Sequence, residues 1–215
     1  VDPQVQGFFD EATHTVSYVA SDTASNICAI VDSVLDYVPA AGRTGTRSAD
    51  RLIDYLRQHG LKLDWILETH VHADHISGAR QLAAKYGAEL CLHESAKVTY
   101  PFRGLKDGEE LTLGQLKLRI IHTPGHRPEL ISVLVVNPER SPEPSMALTG
   151  DSLLVGDVGR PDFGGGDARA QFESLNRLLR LPDWVAVFPG HFEGPCGKGM
   201  CGRPSTTIGF ERLYN

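Results

Sequence analysis

The sequence contains no apolar run that approaches the length of a transmembrane helix. Its first residues, VDPQVQGFFDEATH, form an acidic, loop-like start that lacks the basic and apolar regions of a signal peptide. Basic residues are not in excess either, because 21 Lys and Arg face 27 Asp and Glu, for a formal net charge of -6. Binding to phosphates needs clustered basic residues, so we expect no nucleic-acid partner and no membrane partner. These features favour a cytoplasmic protein.

Cysteine is scarce, with four residues in a chain of 215. So few cysteines in so long a chain do not resemble the disulfide framework of a small secreted domain, and free thiols are expected. Cys28 and Cys91 stand in apolar runs, which predicts buried side chains. Cys196 and Cys201 flank the glycine-rich segment CGKGMC. A zinc ribbon would need a second close pair, so loop cysteines with a structural role are favoured.

The chain shows no internal repeat and no change in composition that would mark a linker, which predicts one domain over residues 1–215. HTVSYVASD and NICAIVDSV predict an antiparallel pair of strands. SADRLIDYLRQHG predicts a helix with Ser48 as its N-cap, and DARAQFESLNRLLR predicts a helix capped by Asp167. Four further strands, in DWILETH, LKLRIIHTPGH, MALTGD and WVAVFPGH, each end in a loop that carries His or Asp.

Candidate metal ligands stand at these four strand ends. They are His70, His72, Asp74 and His75 in THVHADH, His126 in TPGH, Asp151 in TGD and His191 in PGH. Imidazole and carboxylate groups are the ligands of Zn(II) and of non-haem Fe(II). One such residue alone is commonly a turn or surface residue, but seven of them after apolar strands predict a metal site on loops at the end of a rigid sheet.

The series THxHxDH, TPGH, GD and PGH, in this order over most of the chain, resembles the metallo-β-lactamase superfamily. That resemblance implies an α/β fold, an αββα sandwich with the metal site at one edge of the sheets. The superfamily scaffold hosts hydrolases, oxygenases and nucleases, so the resemblance does not fix the reaction.

Longer segments of the sequence narrow the choice of reaction within the superfamily. ETHVHADHISGA, GRPDF and FPGHFEGPCGKGMCGRPSTTIGFER are similar to the persulfide dioxygenase branch, whose bacterial members include fusions to rhodanese domains. The branch implies one Fe(II) held by His70, His126 and Asp151, and oxidation of a persulfide by O2 to sulfite and a thiol. In members of this branch, the residues that surround the three ligands do not bind the iron, and the resemblance gives this place to His72, Asp74, His75 and His191. Glutathione persulfide is the expected substrate, and a rhodanese domain or protein is an expected partner.

Two arginines are candidates for substrate binding. Arg160 stands in a segment that lies beside the thiol pocket in family members, and its guanidinium suits a glutathione carboxylate. The alternative is an ion pair with Asp157 or Asp162 that fixes the loop. Arg127 stands where many members have a small hydroxyl residue, and a solvated loop arginine is favoured over one that attracts the anionic persulfide.

Two other functions stay open. A dinuclear zinc hydrolase of the glyoxalase II type would use all seven candidate ligands: His70, His72 and His126 on one zinc, Asp74, His75 and His191 on the other, and Asp151 as the bridge. A catalytically silent module would pass sulfur to a rhodanese partner, and an end at GFERLYN fits a C-terminally truncated chain or a piece of a fusion. The thiol carrier and a homodimeric state also stay open.

Overall fold

The computed structural model describes residues 3–162, 164–194, 197 and 199–215. Its strands are β1 Gln4–Asp10, β2 Thr15–Asp22, β3 Ile27–Val31, β4 Val34–Val38, β5 Arg43–Gly45, β6 Lys62–Leu67, β7 Ile76–Ser77, β8 Glu89–His93, β9 Arg103–Leu105, β10 Glu110–Leu113, β11 Leu116–His122, β12 Ile131–Val136, β13 Met146–Gly150, β14 Ala186–Pro189 and β15 Thr206–Thr207. Its α-helices are α1 Arg47–Gln58, α2 Ala79–Tyr86, α3 Ala168–Leu178 and α4 Ile208–Tyr214. No helix among these residues is long and apolar enough to cross a membrane.

Most strands belong to two six-stranded sheets. The first has the order β1-β2-β3-β6-β8-β9 and the second the order β10-β11-β12-β13-β14-β15. β2 and β3 are antiparallel, as the sequence predicts, whereas β3, β6 and β8 run parallel. Parallel neighbours need a crossover connection, and α1 and α2 supply these two crossovers.

The two sheets pack face to face, and helices cover their outer faces. Val31 and Leu67 of the first sheet share one buried core with Leu118 and Val133 of the second. α1 and α2 pack on the outer face of the first sheet, and α3 and α4 on that of the second. Full burial of one such aliphatic side chain contributes about 2 kcal/mol. This architecture is the αββα sandwich that the resemblance implies.

One of the two predicted helix caps is confirmed, and the other is wrong. Oδ1 of Asp167 accepts hydrogen bonds from the backbone N–H groups of Arg169 and Ala170, at 2.8 and 3.0 Å. Ser48, however, lies inside α1, whose N-cap residue is Thr46. The backbone N–H of Ser48 donates to Oδ2 of Asp36 over 2.8 Å. The first turn of α1 is therefore capped by a side chain from β4, which a local sequence pattern does not reveal.

The start of the chain also differs from the prediction. Residues 4–10 form β1, which pairs with β2 from Gln4 opposite Ser21 to Asp10 opposite Thr15. The reason is tertiary: pairing with β2 satisfies the backbone hydrogen-bonding groups, and Val5, Phe8 and Phe9 pack against the buried cores.

The cysteines that are described carry free thiols. Cys28 and Cys91 are buried, as predicted, and burial raises the pKa of each thiol to about 12. Cys201 is exposed. Cys196 lies outside the described residues.

His93 and His122, two histidines outside the candidate metal-ligand motifs, are stacked. Their ring centroids are 3.9 Å apart and the interplanar angle is 9°. His93 ends β8 of the first sheet and His122 ends β11 of the second, so the pair joins the sheets. Burial and the neighbouring ring lower the pKa of His93. A histidine with a lowered pKa stabilises the folded state above its unfolded pKa of about 6.5, and this contribution is lost as the pH falls through its folded pKa.

The substitution His93→Phe keeps an aromatic ring in the stack and removes the titrating group. We expect the variant to lose less unfolding free energy than the wild type when the pH falls from about 7.5 to about 5.5. Urea unfolding at both pH values measures the difference. The exposed histidine His59, replaced by Phe, serves as the control and should match the wild type. Equal pH dependence in His93→Phe and the wild type would contradict a role for the stack.

Candidate metal centre

Three side chains from three strand ends converge at one end of the sandwich. His70 follows β6, His126 follows β11 and Asp151 follows β13. The Nε2 atoms of His70 and His126 lie 3.8 and 3.5 Å from Oδ2 of Asp151. Each of the three residues places a ligand atom within 4.8 Å of the other two, and all three are buried. Two imidazoles and one carboxylate in this arrangement fit a transition-metal ion.

Hydrogen bonds at Nδ1 direct the Nε2 lone pairs of both histidines toward the centre. The hydroxyl of Thr69 donates to Oδ2 of Asp32 over 2.7 Å, so its oxygen accepts from Nδ1–H of His70 at 3.0 Å. Nδ1–H of His126 donates to the carbonyl oxygen of Arg160 over 2.8 Å. Burial holds the pKa of His70 well below its ordinary value, which keeps the ring neutral. A neutral imidazole with one nitrogen held in this way is the form that binds a metal.

His191 connects two carboxylates. Its Nδ1 lies 2.8 Å from Oδ1 of Asp151, and its Nε2 lies 3.1 Å from Oδ2 of Asp74. The hydroxyl of Thr15 donates to the same Asp74 oxygen over 2.9 Å. Burial opposes ionisation of Asp151 and Asp74, but hydrogen bonds and nearby histidines, His191 first among them, hold both pKa values well below the ordinary range. Both groups are therefore carboxylates.

His72 and His75 lie next to this centre but outside the group of His70, His126 and Asp151. Nε2 of His72 lies 2.9 Å from Oδ1 of Asp32 and 3.5 Å from Oε2 of Glu68. Although burial disfavours a charged ring, these two carboxyl groups raise the pKa of His72 to about 9. Burial raises the pKa of Glu68 to about 8. Nδ1 of His75 lies 3.2 Å from the Thr15 hydroxyl.

Two glycines permit close approach of the backbone to the centre. A Cβ atom on Gly190 would lie 2.7 Å from Oδ1 of Asp151. Gly125 has a φ of +149°, and a Cβ there would lie 2.4 Å from Cα of Gln171. The Gln171 side chain accepts from the backbone N–H of His126 and donates to the carbonyl oxygen of Ser152, each over 2.8 Å. One glutamine thus ties together the loops that carry His126 and Asp151.

The two arginine candidates are both ion-paired. Nε and Nη2 of Arg160 lie 3.0 and 3.1 Å from the carboxylate oxygens of Asp162, one of the two loop partners that the sequence suggests. Arg127 is not simply solvated, because its Nε lies 3.3 Å from Oε1 of Glu129 and its Nη1 donates to the carbonyl oxygen of Gly164 over 2.7 Å. Arg127 therefore fixes the loop that follows His126.

Two clefts open beside the histidine loop. The larger, about 760 Å³, lies between Asp74 and His75 and the hairpin of β4 and β5, where the exposed side chains of Tyr37 and Val38 stand. The smaller, about 270 Å³, is lined by His70 together with Glu68, His72, His75 and Tyr100, among others. Of these two clefts, the smaller one reaches the centre, because His70 lines it.

Several residues of the centre were missed by sequence reasoning. Asp32, Thr15 and Gln171 contact candidate ligands or the loops that carry them. Oε2 of Glu68 lies 3.5 Å from Nε2 of His72. Asp32 had a usable signal, because it is an acidic residue directly after the apolar strand in NICAIVDSV. Gln171 had none, since it is one polar residue on a helix whose partners are distant in sequence.

The sequence profile of the Metallo-beta-lactamase superfamily matches residues 15–191, which include all the candidate ligands. The chain belongs to the metallo-β-lactamase superfamily. A probable metallo-hydrolase of Burkholderia pseudomallei is 38% identical, over 91% of this chain and 74% of that protein. The Beta-lactamase hydrolase-like protein of Agrobacterium fabrum is 36% identical over 99% of this chain, which spans about half (52%) of that relative. The crystal structure of ETHE1 from Myxococcus xanthus superposes with a TM-score of 0.79 at 30% identity, over 99% of this chain and 83% of that one.

Proposed function

We propose that the chain is a persulfide dioxygenase that binds one Fe(II) through His70, His126 and Asp151. The observation that carries this proposal is the buried group of two imidazoles and one carboxylate. Among the described residues, no fourth His, Cys, Asp or Glu places a ligand atom within 4.8 Å of all three. This donor set is typical of non-haem Fe(II) oxygenases, because it leaves positions for a substrate and O2. Similarity to ETHE1 also supports a persulfide dioxygenase.

The proposed reaction converts R–S–S⁻, O2 and H2O to R–SH, sulfite (SO3²⁻) and H⁺. The terminal sulfur is oxidised, O2 is reduced, and the S–S bond breaks. Fe(II) would supply the redox chemistry, which Zn(II) lacks. The chain supplies geometry: Thr69 and the Arg160 carbonyl orient the two imidazoles, and Gln171 holds the loops of His126 and Asp151. Proximity of bound reactants is a large part of such catalysis.

A dinuclear zinc hydrolase is the second candidate. Nδ1 of His72 and Nε2 of His75 are buried without hydrogen-bond partners in the described part of the chain, which suits metal ligands. The hydrolase names of two relatives favour the same function. Nδ1 of His191 lies 2.8 Å from Oδ1 of Asp151, and its Nε2 lies 3.1 Å from Oδ2 of Asp74. Two donor atoms on one tetrahedral zinc, each about 2.0 Å from the ion, have a similar separation, so the contact with Asp74 is compatible with a second zinc and the metal content has to separate the two functions.

Metal analysis and activity on one anaerobic preparation separate the two functions. The proposal predicts about one iron per chain, O2 uptake with glutathione persulfide, and release of sulfite. Two zincs per chain with cleavage of a glutathione thioester and no O2 uptake would overturn it.

Arg160 is proposed to bind the thiol carrier of the persulfide. A charge-assisted hydrogen bond contributes about 1.5 kcal/mol, so Arg160→Ala should raise KM for glutathione persulfide about tenfold with little change in kcat. The matched variant Asp162→Ala breaks the same ion pair and keeps the guanidinium, so its KM should not rise. An unchanged KM in Arg160→Ala would leave Arg160 only the role of fixing its loop.

A further inference from the structure

Three buried side chains lie beside the proposed iron ligands but outside their group. Glu68, His72 and His75 each place a ligand atom within 4.8 Å of the other two. Their side chains are 2%, 3% and 0% exposed. Within the described residues, Oε1 of Glu68, Nδ1 of His72 and Nε2 of His75 are all buried without a hydrogen-bond partner. Buried polar atoms without partners cost free energy, which a bound cation would recover.

The neighbouring acidic and histidine groups do not share this property. His191 faces a carboxylate at each ring nitrogen, and Asp74 accepts from the Thr15 hydroxyl at the same oxygen that His191 approaches. Nδ1 of His75 lies 3.2 Å from the Thr15 hydroxyl and 3.3 Å from Oδ2 of Asp74. The His75 ring is therefore held at Nδ1, which leaves Nε2 as the nitrogen that can bind a cation. Among these described His, Asp and Glu side chains, the buried atoms without a hydrogen-bond partner belong to Glu68, His72 and His75. Nδ1 of His72 lies 3.8 Å from Oδ1 of Asp74, beyond hydrogen-bond distance.

We propose that Glu68, His72 and His75 form a second cation site, distinct from the iron site and from a site at Asp74 and His191. Two imidazoles and one carboxylate suit Zn(II) or Co(II), with water as a fourth ligand. The cleft of about 270 Å³ that these three residues line gives the ion a route from solvent.

An ion in this site would fix the ring of His72, whose centroid lies 4.1 Å from that of His70. It would keep His72 away from His70, His126 and Asp151, and so preserve a centre with three protein ligands. This consequence rests on the proposed function, whereas the cation site itself does not.

The test is a titration of the iron-loaded protein with Co(II), followed by visible absorption and by metal analysis after dialysis. We expect one Co(II) per chain with the absorption of a four-coordinate ion, in addition to one iron. Glu68→Gln keeps the size of the side chain but removes the only carboxylate of the proposed site, so it should weaken Co(II) binding more than about 100-fold. Asp74→Asn is the matched comparison at the other side of His75: it removes a group that orients the ring and not a ligand, so it should weaken Co(II) binding clearly less than Glu68→Gln does.

Anomalous diffraction at the cobalt edge locates the ion in the wild-type chain. This measurement tests the proposal even if a variant does not fold. Density between Glu68 and His72 supports the proposal. Density between Asp74 and His191, loss of Co(II) in Asp74→Asn but not in Glu68→Gln, or no bound Co(II) in the wild type would each overturn it. Iron content and O2 uptake on the same sample report separately on the proposed function.

Discussion

On the proposed function, Asp151→Asn should abolish iron binding and activity while the chain stays folded. Asparagine keeps the shape of the side chain but removes the only carboxylate from the group with His70 and His126. Loss of a group that merely orients a ligand costs about 10- to 100-fold in metal affinity, so loss of the ligand itself should exceed about 100-fold. We expect O2 uptake with persulfide to fall at least about 1,000-fold, or about 4 kcal/mol in transition-state free energy. Iron analysis and oxygen-electrode rates on the same preparation measure both effects.

The control for this prediction is Asp54→Asn. Asp54 is 64% exposed on α1 and lies 3.7 Å from Arg57, so its loss should leave iron content and rate unchanged. Circular dichroism of Asp151→Asn should match the wild type. An Asp151→Asn variant that retains one iron per chain and most of the O2 uptake would show that the metal is bound elsewhere.

The architecture of the centre was predictable because the motifs stand at strand ends. Apolar runs in DWILETH, LKLRIIHTPGH, MALTGD and WVAVFPGH predict strands, and the structure has β6, β11, β13 and β14 there. A strand end fixes where its next few residues lie, so four strand ends in two packed sheets bring distant ligands together. The resemblance supplies the αββα arrangement that this requires. Periodicity alone does not decide between this arrangement and others.

The detailed division of the seven candidates was not predictable from spacing. His70 and His72 are two residues apart at a strand end, yet His70 joins the centre while His72 contacts Asp32 and Glu68. The two histidines differ because the fold decides their contacts: Asp32 is distant from His72 in sequence, and the side chain of Glu68 is buried beside His72. His191 stands in the expected motif, PGH, but its contacts are with Asp74 and Asp151 on two other loops.

Asp32→Asn should lower both stability and iron affinity. Asp32 is buried with a φ of 52°, and its carboxylate accepts from the backbone N–H and the hydroxyl of Thr69, each over 2.7 Å, and lies 2.9 Å from Nε2 of His72. Asparagine tolerates a positive φ, so the backbone conformation is not the cause of the effect. The amide, however, lacks the charge and places N–H groups where one carboxylate oxygen accepts. We expect a loss of about 3 kcal/mol in unfolding free energy for the metal-free chain.

Iron affinity of Asp32→Asn should fall by roughly 10- to 100-fold, because Asp32 fixes the Thr69 hydroxyl that orients His70. Urea unfolding of the metal-free chain and competition with a chelator for the iron-loaded chain measure the two effects separately. Asp54→Asn again provides the baseline, with an expected change in unfolding free energy within about 0.5 kcal/mol. A stability loss with iron affinity equal to that of the wild type would make Asp32 a structural residue only. A combined loss would show that one buried carboxylate both stabilises the end of β3 and holds the His70 ring in the tautomer that binds metal.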